Sequence, residues 1–140
     1  MRRNLQVGQL DDLVRGAHLA TMATYRANGT VLLSPVWHEW VDDGFNVVTY
    51  VDDIKTRHLR RDPRVGLVLA EDSTPYRGIE VTTRAKLLED GGSTALQRIA
   101  IRYLGAERGD AYARAAAQQP LLLVRIEPGH LRAWDFADEF

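Results

Sequence analysis

Few side chains in this sequence are placed to do chemistry alone. The chain has no cysteine, which excludes a thiol nucleophile, a thiolate-held metal and a disulfide. The four histidines, His18, His38, His58 and His130, fall in different predicted elements, so a metal site would need folding to bring three of them together. Asp42, Asp43, Asp52 and Asp53 lie at turn signals, where aspartate bonds the local backbone, and are read as turn residues instead of an acid–base pair. The absence of a Gly-x-Ser-x-Gly elbow, a His-Glu-x-x-His helix, a Walker loop and a Gly-x-Gly-x-x-Gly turn counts against standard nucleophilic hydrolysis and zinc chemistry. No catalytic side chain and no metal ligand is assigned.

Two segments stand out against this background. In Leu33-Ser34-Pro35-Val36-Trp37-His38, Pro35 deletes a ladder donor and so belongs at an edge, a bulge or a place where another molecule approaches. Alternation puts Trp37 and Trp40 on opposite faces of one strand, so one can fill the core while the other lines a cleft. Lys55 and Thr56 lie in the first turn of a predicted helix, whose free N–H groups and partial positive charge suit an anion such as phosphate. Arg57, Arg60, Arg61 and Arg64 add cations nearby. They read either as a phosphate neighbourhood or as a solvated basic face paired with Asp62 and Glu71.

The elements that must carry these segments follow from periodicity. Leu10, Leu13, Val14 and Ala17 predict an amphipathic helix over 9–17. Strands are predicted over 18–25 and 31–41, joined through Asn28-Gly29, and a third over 45–51 extends the meander after Asp42-Asp43-Gly44. A short helix over 54–62, capped by Asp52 or Asp53 and stopped by Pro63, precedes strands over 65–70 and 79–88. Helices over 93–104 and 107–118, broken at Gly105, come before strands over 121–126 and 131–136. Sequential antiparallel strands argue for closure into a barrel, which removes exposed edges.

Composition agrees with one ordinary domain spanning 1–140. The chain is 45% hydrophobic and 26% charged, and its 18 cations nearly cancel its 19 anions. That balance removes the bulk drive toward nucleic acid, so any anion site must be a local cluster. The basic N-terminus lacks the apolar run of a signal peptide and no stretch suits a membrane span, so a cytoplasmic location is expected.

Four segments together carry a resemblance: Leu19 to Thr24, Leu33 to Trp37, Lys55 to Val65, and Pro75-Tyr76-Arg77-Gly78-Ile79-Glu80-Val81. In order and spacing they resemble the pyridoxamine 5′-phosphate oxidase-like split-barrel superfamily, and within it the F420-dependent oxidoreductases of actinobacterial type. The resemblance implies a mainly β (α+β) fold, a six- to seven-stranded antiparallel split β-barrel with short flanking helices. It implies a homodimer with cofactor sites at its interface and hydride transfer between coenzyme F420 and a small organic substrate. Ser34, Pro35, Val36 and Trp37 are carried over as neighbours of the cofactor ring, and Thr49 and Tyr50 as lining near the phosphate-side turn. Lys55 and Thr56 belong to that turn, and Arg57, His58 and Arg61 are carried over with it. The chain departs from the family pattern at Asp52-Asp53-Ile54, where many relatives have a small residue and an arginine, and at Thr83, where glycine is common. An FMN-dependent oxidoreductase of the same fold is the alternative enzyme. A non-catalytic flavin, F420 or haem binder is the alternative from another class, with His38 or His58 as candidate haem ligands.

Overall fold

The computed structural model describes residues 1–140. Ten strands form two antiparallel sheets, in a β-rich α+β split barrel. The first sheet has the order β1 (Arg2–Arg3), β10 (His130–Asp135), β7 (Gly78–Arg84), β6 (Arg64–Ala70), β2 (Ala20–Tyr25), β3 (Val31–Val36). The second has the order β4 (Glu39–Val41), β5 (Gly44–Tyr50), β9 (Leu121–Ile126), β8 (Lys86–Leu88). Alternation along each strand sends one set of side chains inward. Met22, Leu67, Leu69, Ile79 and Val81 from the first sheet join Phe45, Val47, Val124 and Ile126 from the second in one buried core. Leu10 and helix α1 (Asp11–Arg15), through Leu13 and Val14, complete it.

Seven predicted strands become ten because two of them divide and Arg2–Arg3 adds a short edge. The predicted strand over 31–41 stops at Val36 and restarts at Glu39, passing from one sheet to the other through Trp37 and His38. The predicted meander holds only in part: β5 pairs antiparallel with β4, the end of the predicted 31–41 strand, and with β9, but not with β3. The strand over 79–88 divides likewise at Ala85, whose N–H is taken by the Pro63 carbonyl at 2.7 Å instead of by a ladder. Pro35 lies in β3, at the end of its sheet, where a missing donor costs no partner strand a bond.

Helix α2 (Ile54–Arg61) follows β5 directly, and Asp53 is its cap. Helices α3 (Gly92–Leu104) and α4 (Ala106–Ala116) fold back on each other around Gly105, whose φ of +87° suits glycine. Their close approach depends on Gly109, where a Cβ would lie 2.5 Å from the Ile101 backbone. The hairpin has its own small core of Leu96, Ala100, Ala113 and Ala116, packed against Trp37, Val48 and Leu121. No helix is long and apolar enough to cross a membrane.

Candidate functional site

The break between β3 and β4 leaves the backbone of His38 outside any sheet ladder, and a buried N–H or C=O must find another partner. The last turn of α3 supplies both. The Tyr103 hydroxyl accepts from the His38 N–H at 3.2 Å and donates to the His18 carbonyl at 2.6 Å. Arg102 donates to the His38 carbonyl and, at 2.6 Å, to that of Gly16. Burial pushes the Tyr103 phenol above its ordinary range, so it stays a neutral donor.

This clamp fixes Trp37. Its ring stacks on Tyr103 with centroids 4.9 Å apart and planes 9° from parallel, and Tyr112 of α4 leans on it at 5.1 Å. Trp40, by contrast, packs edge-on against core Phe45 at 4.8 Å. One tryptophan thus serves the core and the other a cleft.

The cleft has a volume of about 360 Å³, within the range typical of small-molecule sites. Pro35, Val36 and Trp37 form one wall, Val47 to Tyr50 the next, and Leu96, Ile99 and Tyr112 of the helical hairpin a third. Asp53 and Lys55 supply its charged corner. Most of the lining is apolar, which favours a flat organic ring over a sugar or a bare ion.

The charged corner is held from behind. Thr56 Oγ1 donates to the Tyr50 carbonyl at 2.7 Å, which leaves Thr49 Oγ1 as donor in the 2.9 Å bond between the two threonines. These bonds tie the first turn of α2 to the end of β5. Asp53 Oδ1 accepts from the Lys55 N–H at 2.8 Å and lies 3.3 Å from Lys55 Nζ. A carboxylate oxygen already sits on those two donors, so the donor set suits an anionic oxygen of a ligand.

Of the residues singled out by sequence, Pro35, Val36, Trp37, Thr49, Tyr50 and Lys55 line the cleft. Ser34, Thr56, Arg57, His58 and Arg61 lie off this lining, and helix geometry accounts for Arg57 and Arg61, which fall on the side of α2 away from Lys55. With Lys55 toward the cleft, Thr56 and His58 turn into the barrel, where His58 Nδ1 meets Thr24 Oγ1 at 3.0 Å. Burial first, then Arg61, Arg26 and Arg57, hold the His58 ring below its ordinary pKa. Arg57 and Arg61 point to solvent, and Arg61 donates to the Tyr25 carbonyl. Ser34 sits opposite Met22 in the β2–β3 hairpin, half-buried and off the cleft.

The expected basic face is only partly paired as read. Arg64 meets Asp62 at 2.7 Å, but Glu71 belongs to Arg77, which also bonds Asp12. Thr83 packs against Gly129, away from the cleft. His38 is fully buried against Phe45, so neither it nor His58 offers a ring nitrogen to the cleft. Reading the sequence missed Asp53 as lining, and missed the hairpin wall. The available signal was the pair Tyr103 and Tyr112 flanking Gly105.

Comparison with known proteins places this geometry. No curated protein matches the chain by sequence. A conserved hypothetical protein of Mycobacterium tuberculosis is similar in structure, with a TM-score of 0.78 and 26% identity over 94% of this chain and 86% of that one. An F420 reductase is similar at a TM-score of 0.70 and 17% identity, over 86% of this chain and 94% of that one. A haem storage protein of Vibrio cholerae is similar at 0.68 and 19%, over 89% and 91%. Identities this low in the last two speak to fold alone. Residues 7–135 match the family described as pyridoxamine 5′-phosphate oxidase, nearly the whole chain, and the protein belongs to that family.

Proposed function

We propose that the cleft binds a flavin-type cofactor, coenzyme F420 in particular, and that the protein is an oxidoreductase acting on a small organic substrate. The observation that carries this reading is the meeting, in one apolar cleft, of the Pro35–Trp37 wall with the donor pair of Lys55. When bound, such a cofactor supplies the hydride chemistry itself. The chain's own residues then have three tasks. Trp37, immobilised by Tyr103 and Tyr112, offers a rigid face beside the ring. The Lys55 ammonium holds an anionic oxygen of the cofactor, with Asp53 capping the Lys55 N–H and Thr56 fixing the turn from behind. The apolar side chains Val47, Leu96 and Ile99 exclude water around the reacting atoms. No acid–base side chain is required.

We further propose that the protein works as a homodimer in the cytoplasm. Exposed leucines at the β3 edge of the first sheet support the dimer: Leu33 in β3 and Leu19, just before β2, are 65% and 61% exposed, and Leu19 also lines the cleft. A second copy covering this face would bury them beside the site. Trp37 gives no such support, since its own chain already half-buries it.

The test is titration of the purified protein with F420 and with FMN, followed by cofactor fluorescence. Micromolar or tighter binding of F420 is expected, weakened at least about tenfold in Trp37→Ala while the protein stays folded. A parent protein that binds neither cofactor refutes the reading. Unfolding of Trp37→Ala would make Trp37 a packing residue only.

A further inference from the structure

The corner of the cleft that holds Lys55 also holds a carboxylate. Asp53 Oδ1 caps the Lys55 N–H at 2.8 Å, and the same carboxylate stands 3.3 Å from Nζ, so one side chain both starts the helix and offsets the ammonium that an incoming anion needs. Both side chains are only about one-fifth exposed, at 21% for Asp53 and 22% for Lys55, so solvent screens the pair incompletely. No other cation lines the cleft. Arg57 and Arg61 are turned to solvent and the nearest further pairing, Arg64 with Asp62, is self-contained. The corner is thus close to neutral before any ligand arrives.

A neutral corner lacks the preference for the more highly charged anion that a lone ammonium would give. A phosphodiester brings one negative charge, whereas a phosphate monoester brings about 1.5 to 2 at neutral pH. Attraction to the ammonium and repulsion from the carboxylate both scale with the incoming charge, so the Asp53 carboxylate costs a monoester more binding energy than a diester. Building on the cofactor reading above, we propose that Asp53 is a specificity-determining residue, whose carboxylate favours a cofactor whose phosphate is a singly charged diester over one whose phosphate is a doubly charged monoester. F420 carries its phosphate as a diester and FMN as a monoester, so Asp53 tilts the site toward the deazaflavin. Asp53 stands at the charged corner and not on the Pro35–Trp37 wall; it acts by offsetting the Lys55 charge.

The experiment measures dissociation constants, by fluorescence titration at pH 7.5, for F420, FMN and riboflavin. It compares the parent with Asp53→Asn, Asp53→Ser and Asp52→Asn. Asparagine and serine both cap a helix start as well as aspartate does, so either substitution removes the charge and keeps the turn. The expected result is a gain of about tenfold for FMN and about threefold for F420, the charge ratio expressed as affinity. Riboflavin, without phosphate, should bind the parent and both Asp53 variants alike. Asp52 is exposed and does not line the cleft, so Asp52→Asn should leave all three constants close to the parent values. Equal gains for all three ligands, equal gains for FMN and F420, or no gain for FMN would overturn the proposal while the cofactor reading stands. A gain in Asp52→Asn matching that in Asp53→Asn would also overturn it, by making the effect one of bulk charge. If parent and variants bind neither FMN nor F420, both readings fall together.

Discussion

His38 gives the structure a measurable acid weakness next to the site. The ring is fully buried, packs edge-on to Phe45 and has no hydrogen-bond partner on either nitrogen. Burial first, then the Arg102 guanidinium and His18, push its pKa down to about 4 from the ordinary 6.5. The His18 backbone lies close enough to oppose this in part, without completing a bond. Because the folded ring gives up its proton more easily than the unfolded one, the unfolded chain binds more protons between pH 4 and 6.5. Stability from this group is therefore full above pH 6.5, falls as the pH drops, and levels out below about 4. The whole difference corresponds to about 3 kcal/mol at 1.36 kcal/mol per pH unit, and about 2 kcal/mol of it falls between pH 7 and pH 5. The assay is urea denaturation at those two pH values for the parent and for His38→Leu, which keeps the volume and removes the titration. Carboxylates held low by arginines, such as Asp62 at about 2, lose their contribution only under more acid conditions. His58 contributes with the same sign, so only the difference between parent and variant isolates His38. His38→Leu should lose about 2 kcal/mol less than the parent between pH 7 and 5. Identical losses in the two proteins would refute the assignment of a neutral, desolvated ring.

Two further outcomes follow from the cleft and the exposed sheet face. Lys55→Ala should weaken F420 binding by about ten- to a hundredfold, because it removes a charge-assisted bond and leaves the Asp53 carboxylate unopposed; Arg57→Ala is the matched control cation, and equal effects in the two would move the anion site elsewhere. Arg77 cannot serve as that control, since it is bound by Asp12 and Glu71. Leu33→Lys should shift the mass in micromolar solution from dimer to monomer with little change in monomer folding, and a parent that is already monomeric would refute the dimer.

What the sequence made legible was local. The cap at Asp52 or Asp53, the Asn28-Gly29 hairpin and the Gly105 break depend on residues within a few positions of each other, and the structure has them within a residue or two, with Asp53 as the cap. Sheet membership was not legible, because it depends on long-range pairing. The run from Val31 to Val41 has strand character throughout, and nothing within it states that Trp37 and His38 leave one sheet for another. The partners that make the break affordable, Arg102 and Tyr103, lie some 65 residues away. The cationic run after Lys55 misled in the other direction. Similar residue types at adjacent positions on a helix face different ways, so Lys55 reaches the cleft while Arg57 and Arg61 reach solvent.

The clamp at this break also divides the work of the site between separate stretches of chain. The charged corner is made by Thr49 to Thr56, a contiguous stretch secured by its own threonine and aspartate bonds. The ring wall is made by Pro35 to Trp37, but its orientation is fixed by α3 and α4, which contribute Tyr103 and Tyr112. Changes on the hairpin face that carries Leu96, Ile99 and Tyr112 can therefore reshape the cleft without disturbing the bonds that hold the turn. Under the proposed function this is a physical route by which one cofactor corner serves different substrates. The limit on such variation is Gly109, because any side chain there would meet the Ile101 backbone and lift α4 away from the wall it completes.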